Sequence, residues 1–318
     1  AESPGPTVGK LVPKVRSTAQ ILYKIYIVIT FTEILLLVIT GLPVYDAATL
    51  SFATVGTGGF GLLNSSIGAY ARSSQAVILL FMLLCGINFN VYYLFLIKKP
   101  KEALKSSEVR MYLGIVAVAA FLIGLNIKDS FSSFGEALFQ GAFQVVSIIT
   151  TTGFATSDFN LWPVFSKTIL FLLMVVGACA GSTGGGMKVS RLIVLLKSIK
   201  YEISAVIHPR SVKKMHMDGR VLSDGVVHSI KVYLAIYILI YFASVLLISI
   251  DNFSFETNMS AVMATFNNIG PGFDVVGPTG NFGSFSVFSK CVLMFDMLAG
   301  RLELLPILVL FSKKTWKK

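Results

Sequence analysis

Three short stretches set glycine among small polar residues: TVGTGGF at 54–60, TTTGFAT at 150–156 and NNIGPGF at 267–273. Each lies between apolar segments, where a polar group left unpaired is costly. Two readings fit any single copy. One is a plain polar turn at a surface; the other is a length of backbone whose carbonyls face a cation. Glycine permits the φ > 0 geometry that turns carbonyls inward, and rings of carbonyls can replace the water around a dehydrated alkali ion. Recurrence at the same place in a repeated unit favours the second reading. It makes Val55, Gly56, Thr57, Gly58 and Gly59, then Thr150, Thr151, Thr152 and Gly153, then Asn267, Asn268, Ile269 and Gly270 candidate walls of a filter for an alkali cation. Apart from an ion at such a filter, no metal site is expected.

Two further features carry possible chemistry. GACAGSTGGGMKVS at 177–190 interrupts an apolar run. It fails the phosphate-loop pattern, because Met187 separates Gly186 from Lys188 and no strand precedes it. It reads either as a helix kink with small residues for close packing, or as an irregular loop bordering a watery cavity. Arg301, inside MLAGRLELLPILV, stands about 18 Å along a helix from the basic cluster that begins at Lys313. It is either half of an ion pair with Glu33, Asp296 or Glu303, or a positive charge beneath the filter that tunes ion occupancy. Cys85, Cys179 and Cys291 sit in apolar runs at unrelated spacings, and His208, His216 and His228 show no ligand pattern. Paired carboxylates and a nucleophile with its base are both missing, so no enzyme is expected.

The elements that must hold these residues are membrane helices. Hydrophobic residues make up 54% of the 318, charged ones only 14%, and the mean hydropathy is +0.76, which marks a polytopic membrane protein. Candidate spans run at about 20–41, 74–97, 109–126, 164–198, 227–250 and 285–311. Between them, YDAATLSFATV, FGEALFQGAFQVVSII and FETNMSAVMATFNNI are too short or polar to cross and too apolar for solvent. They suit re-entrant helices whose C-termini, partly negative, favour a cation at mid-membrane. Ser133-Phe134-Gly135-Glu136 has the spacing of a capping box and marks one helix start. Lys and Arg crowd the start of the first span, the 98–110 and 191–220 segments and the C-terminus. By the positive-inside rule both ends are cytoplasmic and each re-entrant helix enters from outside. The net charge of +11 is therefore a topology signal with some attraction to membrane lipid, and nucleic acid is not implied. The expected divisions are 1–105 and 106–200, each a pore unit of span, re-entrant helix, filter and span, the second with its last span broken. A basic loop follows at 201–226, then a further unit and basic tail at 227–318.

TVGTGGFG, IITTTGFATSDFNLWP, GACAGSTGGGMKVSR, HPRSVKKMHMDGRVLSD, NNIGPGFDVVGPTGNF and AGRLELLPILVLF together resemble the Trk/Ktr/HKT superfamily of potassium transporters, most of all its bacterial TrkH/TrkG branch. The resemblance implies an all-α bacterial inner-membrane protein with four such units around a pseudo-fourfold pore, and K+ as the transported ion without a cofactor. It makes Gly59, Gly153 and Gly270 the filter glycines; Gly59 is preferred to Gly58 or Gly56 because it matches the Gly-Phe of the second turn. It also implies that Gly181, Ser182, Thr183, Gly184, Gly185, Gly186 and Lys188 form a gate, and that Arg301 is the pore charge. Three units are present here, and AESPGPTVGK resembles the family's link between first and second units, so the chain reads as units two to four with the first pore unit missing or supplied separately. The implied partners are a second copy in a homodimer and a cytoplasmic nucleotide-binding regulatory subunit resembling TrkA.

Two transport classes remain. One is gated potassium uptake through the filter; the other is proton- or sodium-coupled symport, which needs buried acids, here only the scattered Glu33, Asp296 and Glu303.

Overall fold

The computed structural model describes residues 15–208, 215–302, 304 and 309. Among these, helices dominate: α1 (Val15–Ile39), α2 (Val44–Val55), α3 (Arg72–Cys85), α4 (Phe89–Leu96), α5 (Pro100–Leu104), α6 (Ser107–Asn126), α7 (Phe134–Ile149), α8 (Val164–Val176), α9 (Val189–Ile207), α10 (Asp224–Ile248), α11 (Phe255–Phe266) and α12 (Val287–Arg301). A hairpin of β1 (His216–Met217) and β2 (Arg220–Val221) lies between α9 and α10. Its turn is Asp218-Gly219, both at positive φ (48° and 77°), the pair favoured by a tight two-residue hairpin.

Long helix, short helix, turn, helix: this order recurs as α1–α2–α3, α6–α7–α8 and α10–α11–α12. The short α2, α7 and α11 coincide with the segments too polar to cross. Ser133 caps α7 by accepting the Glu136 N–H at 3.2 Å, and Ser254 caps α11 through the Thr257 N–H at 3.1 Å. The third helix of each repeat starts beside the end of the first. Ser74 Oγ lies 2.9 Å from Thr40 Oγ1 below α1, Ser166 Oγ donates to Asn126 at 2.7 Å, and the Ser286 N–H donates to Asp251 at 2.8 Å. The sequence Val-Phe-Ser-Lys opens both α8 and α12.

Repeats join by one rule. The third helix of one packs against the short helix of the next: α3 on α7, and α8 on α11. An ion pair marks each seam, Arg72–Glu136 at 2.9 Å and Lys167–Glu256 at 2.7 Å. Within the middle repeat, Gly124 faces Leu138 and Gly141 faces Ile123, so α6 and α7 approach closely. The short helices are the core, with Phe143, Val145, Ile148, Ala261, Val262 and Phe266 buried, while α1 and α10 expose Val28, Phe31, Leu35, Leu239, Phe242 and Leu246. The buried stripe of α10 runs through Ile230, Tyr233, Tyr237, Tyr241, Ser244 and Ile248, and from it Tyr241 reaches α11 and Tyr237 the turn that follows.

The helices Thr18–Ile39, Ser107–Asn126 and Asp224–Asp251 are long and apolar enough to cross a membrane. The expected span at 74–97 is not one rod. It bends by 90° between α3 and α4, because Gly86 has no room for a side chain beside the Tyr112 hydroxyl and Thr150, and Asn88 starts a fresh helix by capping Asn90 at 2.9 Å. The apolar run 164–198 likewise divides into α8 and α9, and α9 reaches Ile207. Of the run 285–311, residue 303 and most of 305–311, including the Glu303 side chain, lie outside the described residues.

Candidate cation pathway

Each short helix ends in the same kind of turn, and the three turns share a pattern of backbone φ. Thr57, Thr151 and Asn268 have φ of 50°, 57° and 56°, and Gly59, Gly153 and Gly270 follow two places on at 64°, 86° and 106°. Sequence reasoning anticipated the glycines; the left-handed threonines and asparagine were missed, since β-branched residues rarely adopt that region. Val55, expected in the first turn, is the last residue of α2 and fully buried, so 56–59, 150–153 and 267–270 are the equivalent sets.

The amide groups explain the carbonyls. Gly58 and Gly59 N–H both converge on the Ala53 oxygen (2.7 and 3.4 Å), Thr152 and Gly153 N–H on the Ser147 oxygen (3.0 and 3.3 Å), and Ile269 and Gly270 N–H on the Ala264 oxygen (2.8 and 3.5 Å). Alternating right- and left-handed residues make such a nest of N–H groups. A trans peptide holds its C=O opposite its N–H, so the carbonyls of Thr57 and Gly58, Thr151 and Thr152, and Asn268 and Ile269 point away from their helices. Among the described residues, the carbonyls of 57–59, 151–153 and 268–270 accept no backbone hydrogen bond.

These turns stand side by side. A methyl group on Gly59 would collide with the Thr152 carbonyl oxygen, and one on Gly153 with that of Ile269. Each glycine therefore seats on the residue just before the next glycine. Gly270 has nothing within 4 Å on that side; it borders a cavity of about 680 Å³ lined by Gly56, Thr57, Asn268, Met297 and Arg301 among others. Side chains behind the turns are satisfied. Thr150 Oγ1 lies 2.7 Å from the Val146 oxygen and 2.8 Å from Thr152 Oγ1, and the Asn267 amide nitrogen donates to the Tyr237 hydroxyl at 2.8 Å. On the far side of the third turn, Asp274 accepts from Ser254 (2.6 Å) and Thr257 (2.7 Å), which hold its carboxyl below the usual aspartate value.

Residues 177–188 form an ordered loop against the helix-facing base of the turns. Gly177, Gly181, Gly186 and Lys188 all have positive φ, between 70° and 79°, which a kinked helix would not contain. The loop reaches all three turns: Thr57 Oγ1 donates to the Thr183 oxygen at 2.9 Å, the Gly185 N–H donates to Thr151 Oγ1 at 2.6 Å, and Gly185 abuts the Asn267 oxygen. Gly184 abuts the Thr150 oxygen, Lys188 Nζ donates to the Gly184 oxygen, and Ser182 Oγ bonds the Cys179 oxygen. The loop also fills the break in the second span, through Phe89 N–H to the Gly181 oxygen (3.0 Å) and Cys179 N–H to the Gly86 oxygen (3.1 Å). Arg301 donates to the Thr183 oxygen at 3.3 Å. It makes no ion pair with Glu33 or Asp296.

Two charged residues escaped sequence reasoning. Glu108, in the first turn of α6, is buried, and its Oε1 accepts the N–H groups of Ala180 (2.7 Å) and Ser190 (3.1 Å). Arg191, counted among solvated cations, is also buried; it stacks 4.0 Å over the Tyr233 ring and donates to the Met187 oxygen at 3.3 Å. Neither has a local sequence signal: each reads as one more charge at the edge of an apolar run. Of the anticipated acids, Asp296 accepts from Ser244 at 2.8 Å, whereas both oxygens of buried Glu33 lack a hydrogen-bond partner among the described residues. Those residues contain no cluster of three or more metal-binding side chains.

The family model "TrkH: Cation transport protein" matches residues 3–318. The Trk system potassium uptake protein TrkH of Salmonella typhimurium is 34% identical over 329 residues, an alignment covering 100% of this chain and 66% of that protein. The Trk system potassium uptake protein TrkG of Escherichia coli K12 is 30% identical, again with 100% and 66% covered. The crystal structure of the potassium transporter TrkH from Vibrio parahaemolyticus matches with a TM-score of 0.88 and 32% identity, over 98% of this chain and 67% of that one. The chain thus spans 66% of the length of these curated relatives.

Proposed function

The chain belongs to the TrkH family of cation transport proteins, and from that premise we propose that it supplies three sides of a potassium-uptake pore in a bacterial inner membrane. The turns 56–59, 150–153 and 267–270 form the filter, and potassium is the cargo that their outward carbonyls coordinate in place of water. The observation that carries this reading is the seating of Gly59 on Thr152 and of Gly153 on Ile269. It aligns three sets of carbonyls whose amides are tied elsewhere. The ends of α2, α7 and α11 add partial negative charge at the same place. Residues 181–186 with Lys188 act as the gate, since this loop touches every turn from below. Arg301, against the same loop, lowers cation occupancy there. The relatives' names and the apolar outer faces support membrane placement; a second copy of this protein and a cytoplasmic regulatory subunit, docking on the basic 208–224 segment and the basic tail, complete the proposed assembly.

A proton-coupled mode is the second reading, and buried Glu33 favours it. Rubidium uptake into liposomes carrying the complete protein, with and without a pH gradient, separates the two. Uncoupled uptake is expected, with Arg301→Ala raising it. Uptake that needs the gradient would select coupled transport, and no uptake of rubidium or potassium would end the proposal.

A further inference from the structure

The buried carboxylate of Glu108 has no part in the pore itself, yet it holds the gate loop at both ends. Its Oε1 accepts from Ala180, near the loop's entry, and from Ser190, in the first turn of α9. One oxygen thus fixes the separation between α8's exit and α9's start. The residue before it faces the other way. Ser107 donates both its N–H (2.8 Å) and its hydroxyl (2.6 Å) to Asp218 Oδ1, at the tip of the 216–221 hairpin. The Asp218 carboxylate also sits at the positive end of α6, where a negative charge is favoured. Lys197 Nζ, donating to the His216 oxygen at 2.7 Å, pins the same hairpin to α9.

We propose that Glu108 is a positioning residue for the gate and that, through Ser107 and Asp218, the 216–221 hairpin is the input by which a partner on that side of the membrane moves the gate loop. Ser107 and Glu108 are adjacent in one helical turn, so a pull on the hairpin shifts both. The Glu108 oxygen then leaves one loop amide or both, and a buried N–H without an acceptor favours a different loop conformation. The hairpin is anchored by buried Met217 but exposed at Asp218 and Gly219, whereas Glu108 is enclosed. The pair therefore converts an accessible contact into an internal one. The proposal rests on the gate reading given above.

Two readouts in the complete protein test it: rubidium uptake into liposomes, and hydrogen exchange of the peptide spanning 177–190. Asp218→Ala should raise basal uptake on the order of fivefold or more and speed exchange in that peptide. Asp218→Asn and Glu108→Gln, which keep an acceptor oxygen, should stay near the parent protein. Glu108→Ala should match Asp218→Ala, and the double variant should not exceed the single ones. Unchanged exchange in Asp218→Ala, or additive effects in the double variant, would overturn the relay. If Glu108→Ala fails to fold, the contrast between Asp218→Ala and Asp218→Asn decides by itself. A parent protein that passes no rubidium, while Asp218→Ala still speeds exchange, would sink the transport reading and leave the relay standing.

Discussion

Gly153 shows what a single residue is asked to do. Its φ of 86° is strained for any side chain, and a methyl group there would strike the Ile269 oxygen. Gly114 is a useful contrast, lying mid-helix on α6 with nothing within 4 Å. Gly153→Ala should abolish rubidium uptake in folded protein, whereas Gly114→Ala should leave uptake unchanged and add up to about 1 kcal/mol to helix stability; equal uptake in the two variants would contradict the filter assignment. Gly59, Gly153 and Gly270 were legible because Gly-Phe recurs in the first two turns and the unit repeats. Thr57, Thr151 and Asn268 were placed in the same turns, but their left-handed backbone was not legible, because it comes from the nest that ties the turn to its helix. Glu108 was equally hidden: a first-turn acid between Lys105 and Arg110 looks solvated until the loop it holds is seen.

Among elements, the short helices and the broken fourth span could be read from polarity and glycine content alone. The 90° bend between α3 and α4 could not. Gly86 and Asn88 are weak breakers in isolation, and the bend is set by what packs there: the Tyr112 hydroxyl, Thr150 and the 177–188 loop. Gly86→Ala should therefore be destabilising, by roughly 1–3 kcal/mol for an overpacked site. Adding Tyr112→Phe, which removes the clashing oxygen, should recover part of that loss in thermal unfolding. A Gly86→Ala protein as stable as its parent would mean that the bend is intrinsic to the chain. The hairpin at 216–221 was also missed, although Asp-Gly is a strong turn signal. It lay inside a basic segment read for its charge and its family resemblance, not for its turn.

At the scale of the molecule, neighbouring repeats are joined by packing and by polar links near the outer ends of the seams. The Arg72–Glu136 and Lys167–Glu256 pairs are partly exposed and contribute about 1 kcal/mol or less each. The seam between the second and third repeats has a further link, in which Asn160 accepts from the Asp274 N–H at 2.9 Å and donates to its oxygen at 3.1 Å. Since the Asp274 carboxyl is held below its ordinary value, its contribution is complete above the unfolded pKa of about 3.9 and fades as pH falls through the folded value. Asp274→Asn should lower the melting temperature at neutral pH and flatten the acid side of its profile, so that variant and parent converge below about pH 4; an unaltered acid limb would contradict that role. The repeat order and the all-helical class were evident in the sequence, whereas the seams, made of residues far apart in the chain, were not. The paired amides that clasp Ala53, Ser147 and Ala264 have one last consequence. An aperture tethered in this way borrows its stiffness from three helix ends, and helix ends fray first on warming. As the filter proposed above, it should therefore lose its power to tell one ion radius from another with heat while the surrounding bundle is still intact.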